Sequence, residues 1–347
     1  MPNLHLLEDT VFLSPRDVDT LVAGVVEVRA PALVQINGDI LVACDARTVP
    51  IGDDWQRTGG AMASDLPNPN SLVLVRKSKP EVLRRGCHEP KMGFSDPSFI
   101  TDGRRLALFH ARSADVGFFG SAPWRSDTDR NTLHIDVALS DDGGLTWAFQ
   151  SVTGSVAAGV SGAFATSGHG VCVDNVWLQP GVVRDLEGRT RHITWRSTDR
   201  GNTWHAGQPC GHDCDESTFE RLGDVLVMSA RSNSGFASGT LGRWWATSTD
   251  LGETWSEPVW CEEPAAAACN ASLVRTPFGL ALVYAQAGRV GGAVDVFDGD
   301  GWRRWAELGV GKHFGYADAL WLNGQLYIIY ESNGCLRRAV LEVSAGQ

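Results

Sequence analysis

Three octapeptides share the pattern Ser-x-Asp-x-Gly-x-Thr-Trp, at 140–147, 197–204 and 248–255. Their tryptophans, Trp147, Trp204 and Trp255, recur at intervals of roughly 50 residues. A repeat of that length is one supersecondary unit. It cannot bury its own apolar face, so successive copies must pack on one another. Within each copy the aspartate can accept backbone N–H bonds across a hairpin turn, the glycine supplies a positive φ, and the tryptophan returns to pack beneath. Each copy follows a strand-like run, at 133–139, 192–195 and 244–247. Asp-x-Asp-Gly clusters also resemble calcium-loop ligands, but the distal glutamate of such a loop is missing, which favours a structural turn. Decayed copies are expected after Val75-Arg76-Lys77-Ser78 and at 298–302.

Between these boxes lie further alternating apolar segments at 32–43, 106–110 and 222–228, with Asn37-Gly38 and Asn323-Gly324 as direct hairpin signals. No stretch carries a sustained helical period. An all-β chain repeating every ~50 residues fits a β-propeller of four-stranded blades. The length of 347 residues would make six or seven blades, and six is expected because the loops at 48–70 and 111–131 take up residues. The reading is therefore all-β, a six-bladed β-propeller forming a single domain over 1–347. The 39 glycines and 13 tryptophans suit a fold built from turns and one repeated packing unit.

The net charge of −11 disfavours a nucleic-acid partner and an anionic membrane surface. An anionic substrate would have to be attracted by a local arginine cluster against that global field. No segment approaches the ~20 apolar residues of a spanning helix. The first residues carry neither a basic leader nor an apolar signal core, so the expected location is cytoplasmic, or outside the cell if a leader has been removed. The eight cysteines are sparse and expected reduced, with Cys44, Cys172 and Cys335 in apolar strand contexts. Cys210-Gly211-His212-Asp213-Cys214 lacks a second ligand pair, so no metal is expected there. Asn270-Ala271-Ser272 fits the glycosylation pattern but leads into apolar Leu273-Val274, and is discounted.

Of the four tyrosines, Tyr284, Tyr327 and Tyr330 lie inside apolar runs and read as core. Tyr316 instead follows Gly315 at a strand entrance, and its strand already supplies Leu320, Leu322, Leu326 and Ile328 to the packing. Arg29-Ala30-Pro31, Ser64-Asp65-Leu66-Pro67-Asn68-Pro69-Asn70-Ser71, Gly93-Phe94-Ser95-Asp96-Pro97-Ser98, Asp215-Glu216-Ser217, Ser229-Ala230-Arg231, Arg289 and Gly315-Tyr316-Ala317-Asp318 occur in that order. With the three boxes, this series resembles the bacterial sialidase (neuraminidase) family of Asp-box six-bladed propellers. The resemblance covers nearly the whole chain, although Ala30 stands where that family usually has isoleucine. An Asp-box alone is weakly specific, because non-catalytic propellers carry it. The ordered series of arginines, acids and tyrosine is much more specific.

The resemblance implies a retaining exo-α-sialidase. Tyr316 would be the nucleophile, Glu216 its base, and Asp65 the acid/base. Arg29, Arg231 and Arg289 would grip the substrate carboxylate. The chemistry is coherent. A carboxylate nucleophile would meet the substrate's own negative charge, whereas a neutral phenol avoids that repulsion but needs a base; sialidases are a known exception to the two-carboxylate rule. Planar, permanently charged guanidiniums suit a carboxylate better than lysine would.

Asp65 is preferred over Asp53 and Asp54 of the same loop for its Pro-Asn-Pro-Asn-Ser context, and Glu216 over its neighbours Asp213, Asp215 and Glu220. Softer candidates are Arg47, to touch substrate or hold Asp45; Asp96, to orient a sugar substituent or cap a turn; and Phe118 and Phe119, to wall an acyl pocket or pack locally. The mechanism requires no cofactor. The expected partner is a sialylated glycan or free sialoside, met by a monomer. A glycosidase for a related nonulosonic acid such as Kdn, a trans-sialidase, and a non-catalytic propeller binding anionic glycans are the alternatives.

Overall fold

Each Asp-box closes the hairpin between the third and fourth strands of a sheet. The computed structural model describes residues 4–49 and 64–343, which leaves Asp53 and Asp54 outside the described residues. Asp199 accepts from the Thr203 amide at 2.9 Å and the Thr203 hydroxyl at 2.7 Å, and Asp250 accepts from Thr254 in the same way, at 2.9 and 2.6 Å. In the first box the accepting residue is Asp142, bonded to the Leu145 and Thr146 amides. These bonds to the ionised carboxylate hold the Asp142 carboxyl well below the ordinary range, the Thr146 hydroxyl contributing most. Trp204 is buried beneath its turn, and its ring meets Phe109 edge-on at 4.6 Å across the blade boundary. A box therefore serves both its own hairpin and the neighbouring blade.

The sheets number six among the described residues. Blade I comprises Glu27–Ile36, Asp39–Arg47, Ser71–Arg76 and Lys79–Arg84. Blade II has Lys91–Thr101, Leu106–Ser113, His134–Ser140 and Ala148–Ser151 as its meander. Blade III is built on Gly162–Ala165, Val176–Arg184, Thr190–Ser197 and His205–Ala206. Blade IV uses Cys214–Leu222, Val225–Ser232, Arg243–Ser248 and Val259–Cys261, and blade V Ser272–Thr276, Gly279–Ala285, Val290–Phe297 and Trp302–His313. Blade VI takes Ala317–Leu322, Gln325–Ser332 and Cys335–Val343 from late in the chain and completes itself with Leu4–Leu13, paired antiparallel to Cys335–Val343. The ring of a six-bladed β-propeller is closed by that pairing.

Near the axis, buried Asp318 ties four parts of the ring together. It accepts from the Leu33 amide of blade I at 2.7 Å, from Ser272 Oγ of blade V at 3.0 Å and from its own strand at Ala319, and pairs with His169 Nδ1 at 2.6 Å. Asn270 is also buried, donating to the Ser167 carbonyl at 2.9 Å, so its side chain is a packing element and not a surface acceptor.

Two expectations are corrected. No decayed box follows Val75; Lys77 and Ser78, both at positive φ (48° and 60°), make a tight two-residue turn between adjacent strands. Tyr327 is half-buried rather than core, its hydroxyl reaching Gln325 at 2.7 Å, because the outer face of its strand is only partly covered. Tyr284 and Tyr330 are buried. At 298–301, the Asp298 carboxylate accepts the Asp300 and Gly301 amides, a reduced form of the box turn.

Candidate active site

Three β-bulges re-aim the first strands of three blades. In blade I the register shifts between Arg29 and Ala32, with Ala30 at φ 51° followed by Pro31. Blade II repeats the device between Ser95 and Ser98, with Asp96 at φ 58° followed by Pro97. In blade IV the shift lies between Cys214 and Ser217 and contains Asp215 and Glu216. Asp96, Asp215 and Glu216 inside the bulges and Arg29 and Ser95 at their edges all line one cavity of about 860 Å³, together with Asp65, Arg47, Arg231, Arg289 and Tyr316.

Tyr316 stands immediately before the first strand of blade VI, with its carbonyl accepting from the Glu331 amide at 2.9 Å. A Cβ at the preceding Gly315 would lie 2.4 Å from Glu331 Oε2 and 2.9 Å from Glu331 Cβ, so any larger residue there would displace Glu331. The Tyr316 hydroxyl donates to Glu216 Oε1 at 2.5 Å and accepts from Arg231 Nη1 at 3.0 Å. Burial raises the phenol well above its ordinary value of 10.0, with Arg231 pulling the other way. Burial also pushes Glu216 up, to about 7, against the opposing charge of Arg231. The pair is thus a neutral phenol hydrogen-bonded to a carboxyl that changes charge near neutrality.

The folded protein holds a proton on Glu216 more tightly than the unfolded chain does, where the group titrates near 4.5. The associated stability is fully present below 4.5 and is lost as pH rises through about 7. Replacement by glutamine removes that dependence. Urea unfolding at pH 5 and pH 8 should show wild type losing up to about 3 kcal/mol relative to Glu216→Gln over that interval.

Each arginine of the fork is held differently. Arg29 Nη2 meets Glu331 Oε2 at 3.1 Å, while Glu331 Oε1 accepts the Ala30 amide at 2.7 Å. Arg231 donates Nε and Nη2 to Asp215 Oδ2 at 3.1 and 3.0 Å, and its Nη1 lies 2.7 Å from Glu216 Oε2. Arg289, at φ 56° in a turn, donates Nη2 to the Ala268 carbonyl at 2.9 Å and has no carboxylate partner among the described residues. Asp215 is thus the anchor of Arg231 and Glu216 the residue facing Tyr316. Asp213 is used elsewhere, accepting the Ser234 amide at 2.7 Å, and Glu220 lies further along the strand, near His169.

Asp65 sits across the cavity, its side chain 44% exposed and its Oδ1 2.5 Å from Arg47 Nη1. Arg47 also donates to Asp45 Oδ2 through Nε and Nη2, at 3.2 and 2.7 Å. Arg47 therefore bridges Asp45 and Asp65. Asp96 accepts Ser167 Oγ at 3.1 Å and donates its amide to Asp45, and burial, reinforced by Asp45, raises its carboxyl well above the ordinary range. Phe118 packs edge-on against Phe164 at 4.9 Å and Phe119 at 5.1 Å. Phe119 is 49% exposed at the rim.

The Asp65 loop is seated against bare backbone. A Cβ at Gly93 would lie 1.9 Å from the Asn68 carbonyl oxygen, and one at Gly117 would lie 2.5 Å from that of Leu66. Gly93→Ala must push the loop outward. Overpacking of this kind costs about 1–3 kcal/mol of stability. If Asp65 acts at the reacting bond, the displacement should lower turnover about 10²-fold. Steady-state kinetics of a variant still folded by circular dichroism checks this.

Sequence reasoning did not find Phe164, Leu133 or Leu66, which make the apolar end of the cavity with Phe118, nor Phe236 and Asn233 beside the arginines. Phe236 lies on a short helix, Asn233–Ser238, just after Arg231, and adjacency to Arg231 was its one available signal.

No family profile matches the chain. A sialidase of Micromonospora viridifaciens is 31% identical over 265 residues, which are 71% of this chain and 38% of that protein. The chain thus spans about two-fifths of that relative's length. Among solved structures, the Hadza microbial sialidase Hz136 superposes with a TM-score of 0.74 at 20% identity, over 91% of this chain and 66% of its own. Trypanosoma rangeli sialidase in complex with the inhibitor DANA gives 0.71 at 14% identity, over 91% of this chain and 54% of that one. The same enzyme with 2,3-difluorosialic acid, described as a covalent intermediate, gives 0.67 at 15% identity, with the same shares covered.

Proposed function

This chain belongs to the sialidase family, and from that premise we propose that it is a retaining exo-α-sialidase, releasing terminal sialic acids from glycoconjugates. The observation that carries the reading is the Tyr316–Glu216 hydrogen bond of 2.5 Å, set among three arginines in one cavity. Binding an anionic sugar requires guanidiniums. It does not require a phenol hydrogen-bonded to a base, and this pair favours an enzyme over a binding propeller.

In the first displacement, Tyr316 Oη attacks the anomeric carbon as the glycosidic bond breaks. The phenol proton passes to Glu216, whose carboxyl near 7 is matched to a base working at neutral pH. Arg231, donating to the same oxygen at 3.0 Å, stabilises phenolate character as it develops. Asp65 protonates the leaving oxygen. In the second displacement Asp65 takes a proton from water, which attacks the same carbon. The bond to Tyr316 breaks, and Glu216 returns the proton to the phenol. Two inversions give net retention.

Arg29, Arg231 and Arg289 hold the substrate carboxylate, and their fixed charges face a site the protein's net charge of −11 would otherwise make repulsive to anions. The apolar end formed by Phe118, Phe164, Leu133 and Leu66 suits an N-acyl group at C5 better than the hydroxyl of Kdn. The test is release of a fluorogenic phenol from an α-sialoside, run beside its Kdn analogue. Faster cleavage of the N-acetyl substrate is expected. Cleavage of neither between pH 4 and pH 9 would remove the enzyme reading.

A further inference from the structure

We propose that Phe236 is a positioning residue for the arginine fork, bridging Arg231 and Arg289 by cation–π contact. The proposal rests on the sialidase reading above. The Arg231 guanidinium carbon lies 5.7 Å from the centroid of the Phe236 ring and that of Arg289 lies 5.4 Å from it. The same arrangement occurs at Tyr316, whose ring has Arg29 at 5.7 Å and Arg231 at 6.0 Å. The cavity wall is therefore an alternating series: Arg29, Tyr316, Arg231, Phe236, Arg289. Two aromatic rings separate three cations.

The physical need is plain. Three guanidiniums converging on one point repel one another until an anion arrives. A ring with its negative π-face toward two neighbouring cations offsets part of that repulsion. Arg29 and Arg231 have buried carboxylates to orient them, Glu331 and Asp215. Arg289 has the Ala268 carbonyl and, among the described residues, no acid within ion-pair distance. Phe236 supplies the second restraint on Arg289 without neutralising it, which leaves its full charge for a ligand carboxylate. A carboxylate side chain at that place would compete with the ligand.

A truncation could act by packing alone, so the test varies the ring's electrons at nearly constant shape. Mono-, di- and trifluorophenylalanine placed at position 236 should weaken DANA binding stepwise, by about two- to threefold at each step. Phe236→Leu should weaken it about tenfold and raise KM with kcat little changed, and Phe236→Trp should restore both. Equal DANA affinity across the fluorinated series overturns the inference. A second readout needs no ligand. The Arg289 Nε–H order parameter, measured by NMR in the free protein, should fall in Phe236→Leu, and an unchanged value also overturns it. If wild type binds no DANA, the sialidase reading fails, while the NMR comparison still decides the role of Phe236.

Discussion

Tyr316→Phe should lower kcat by about 10³-fold or more while leaving DANA affinity within a few-fold of wild type. The substitution removes one oxygen. That oxygen donates to Glu216 at 2.5 Å and accepts from Arg231 at 3.0 Å, so its loss takes away the proposed nucleophile and its link to both residues together. The ring remains, and with it the contacts to Arg29 and Arg231 that help keep the fork in place. Glu216 Oε1 loses its donor, at a stability cost of about 1–3 kcal/mol. Separate measurement of turnover and inhibitor binding distinguishes this from general damage, which would lower both. Normal turnover in the variant would exclude Tyr316 as nucleophile.

Asp65→Ala should separate substrates by their leaving groups. For an alkyl sialoside, whose leaving oxygen must be protonated, kcat/KM should fall by about 10²–10⁴-fold. For a fluorogenic phenol, which departs without much help, the first displacement should be affected far less. The second displacement then lacks its base, and added azide should restore turnover and yield a sialyl azide of retained configuration. The fold should tolerate the change. Asp65 is partly exposed, and Arg47 keeps its two bonds to buried Asp45 when Asp65 is gone. An equal loss on both substrates, with no effect of azide, would assign Asp65 a role other than acid and base.

The parts legible from sequence were those written in local chemistry. The Asp-box is a turn whose bonds run among residues two to four positions apart, so Asp199 and Thr203 could be paired on paper. The bulges were not read from the sequence, although Ala30 and Asp96 each precede a proline at the point where the strand register shifts. The order of Arg29, Asp65, Glu216, Arg231, Arg289 and Tyr316 carried the site, and the fold brings all six to one cavity. Contacts across the ring were not legible. Phe164 meets Phe118 only after blades II and III are stacked, and Phe236 meets Arg289 only across blades IV and V. Nothing in the local pattern separates such aromatics from ordinary core. Tyr327 failed for the opposite reason. Its alternating segment reads as buried, but alternation does not say how fully each face is covered. Arg47 was open between substrate and Asp45, and a third role emerged, since it holds Asp45 and Asp65 at once.

Trapping the intermediate tests Tyr316 as the nucleophile. The protein is incubated with 2,3-difluorosialic acid, digested, and its peptides are sequenced by mass spectrometry. Fluoride leaves C2 as the Tyr316 oxygen bonds to it, and the remaining fluorine at C3 slows the second displacement. One 3-fluorosialyl group per chain is expected, on the Tyr316 hydroxyl, and none in Tyr316→Phe. An adduct on Glu216 or Asp65, or turnover of the α-sialoside with no adduct at Tyr316, would contradict it.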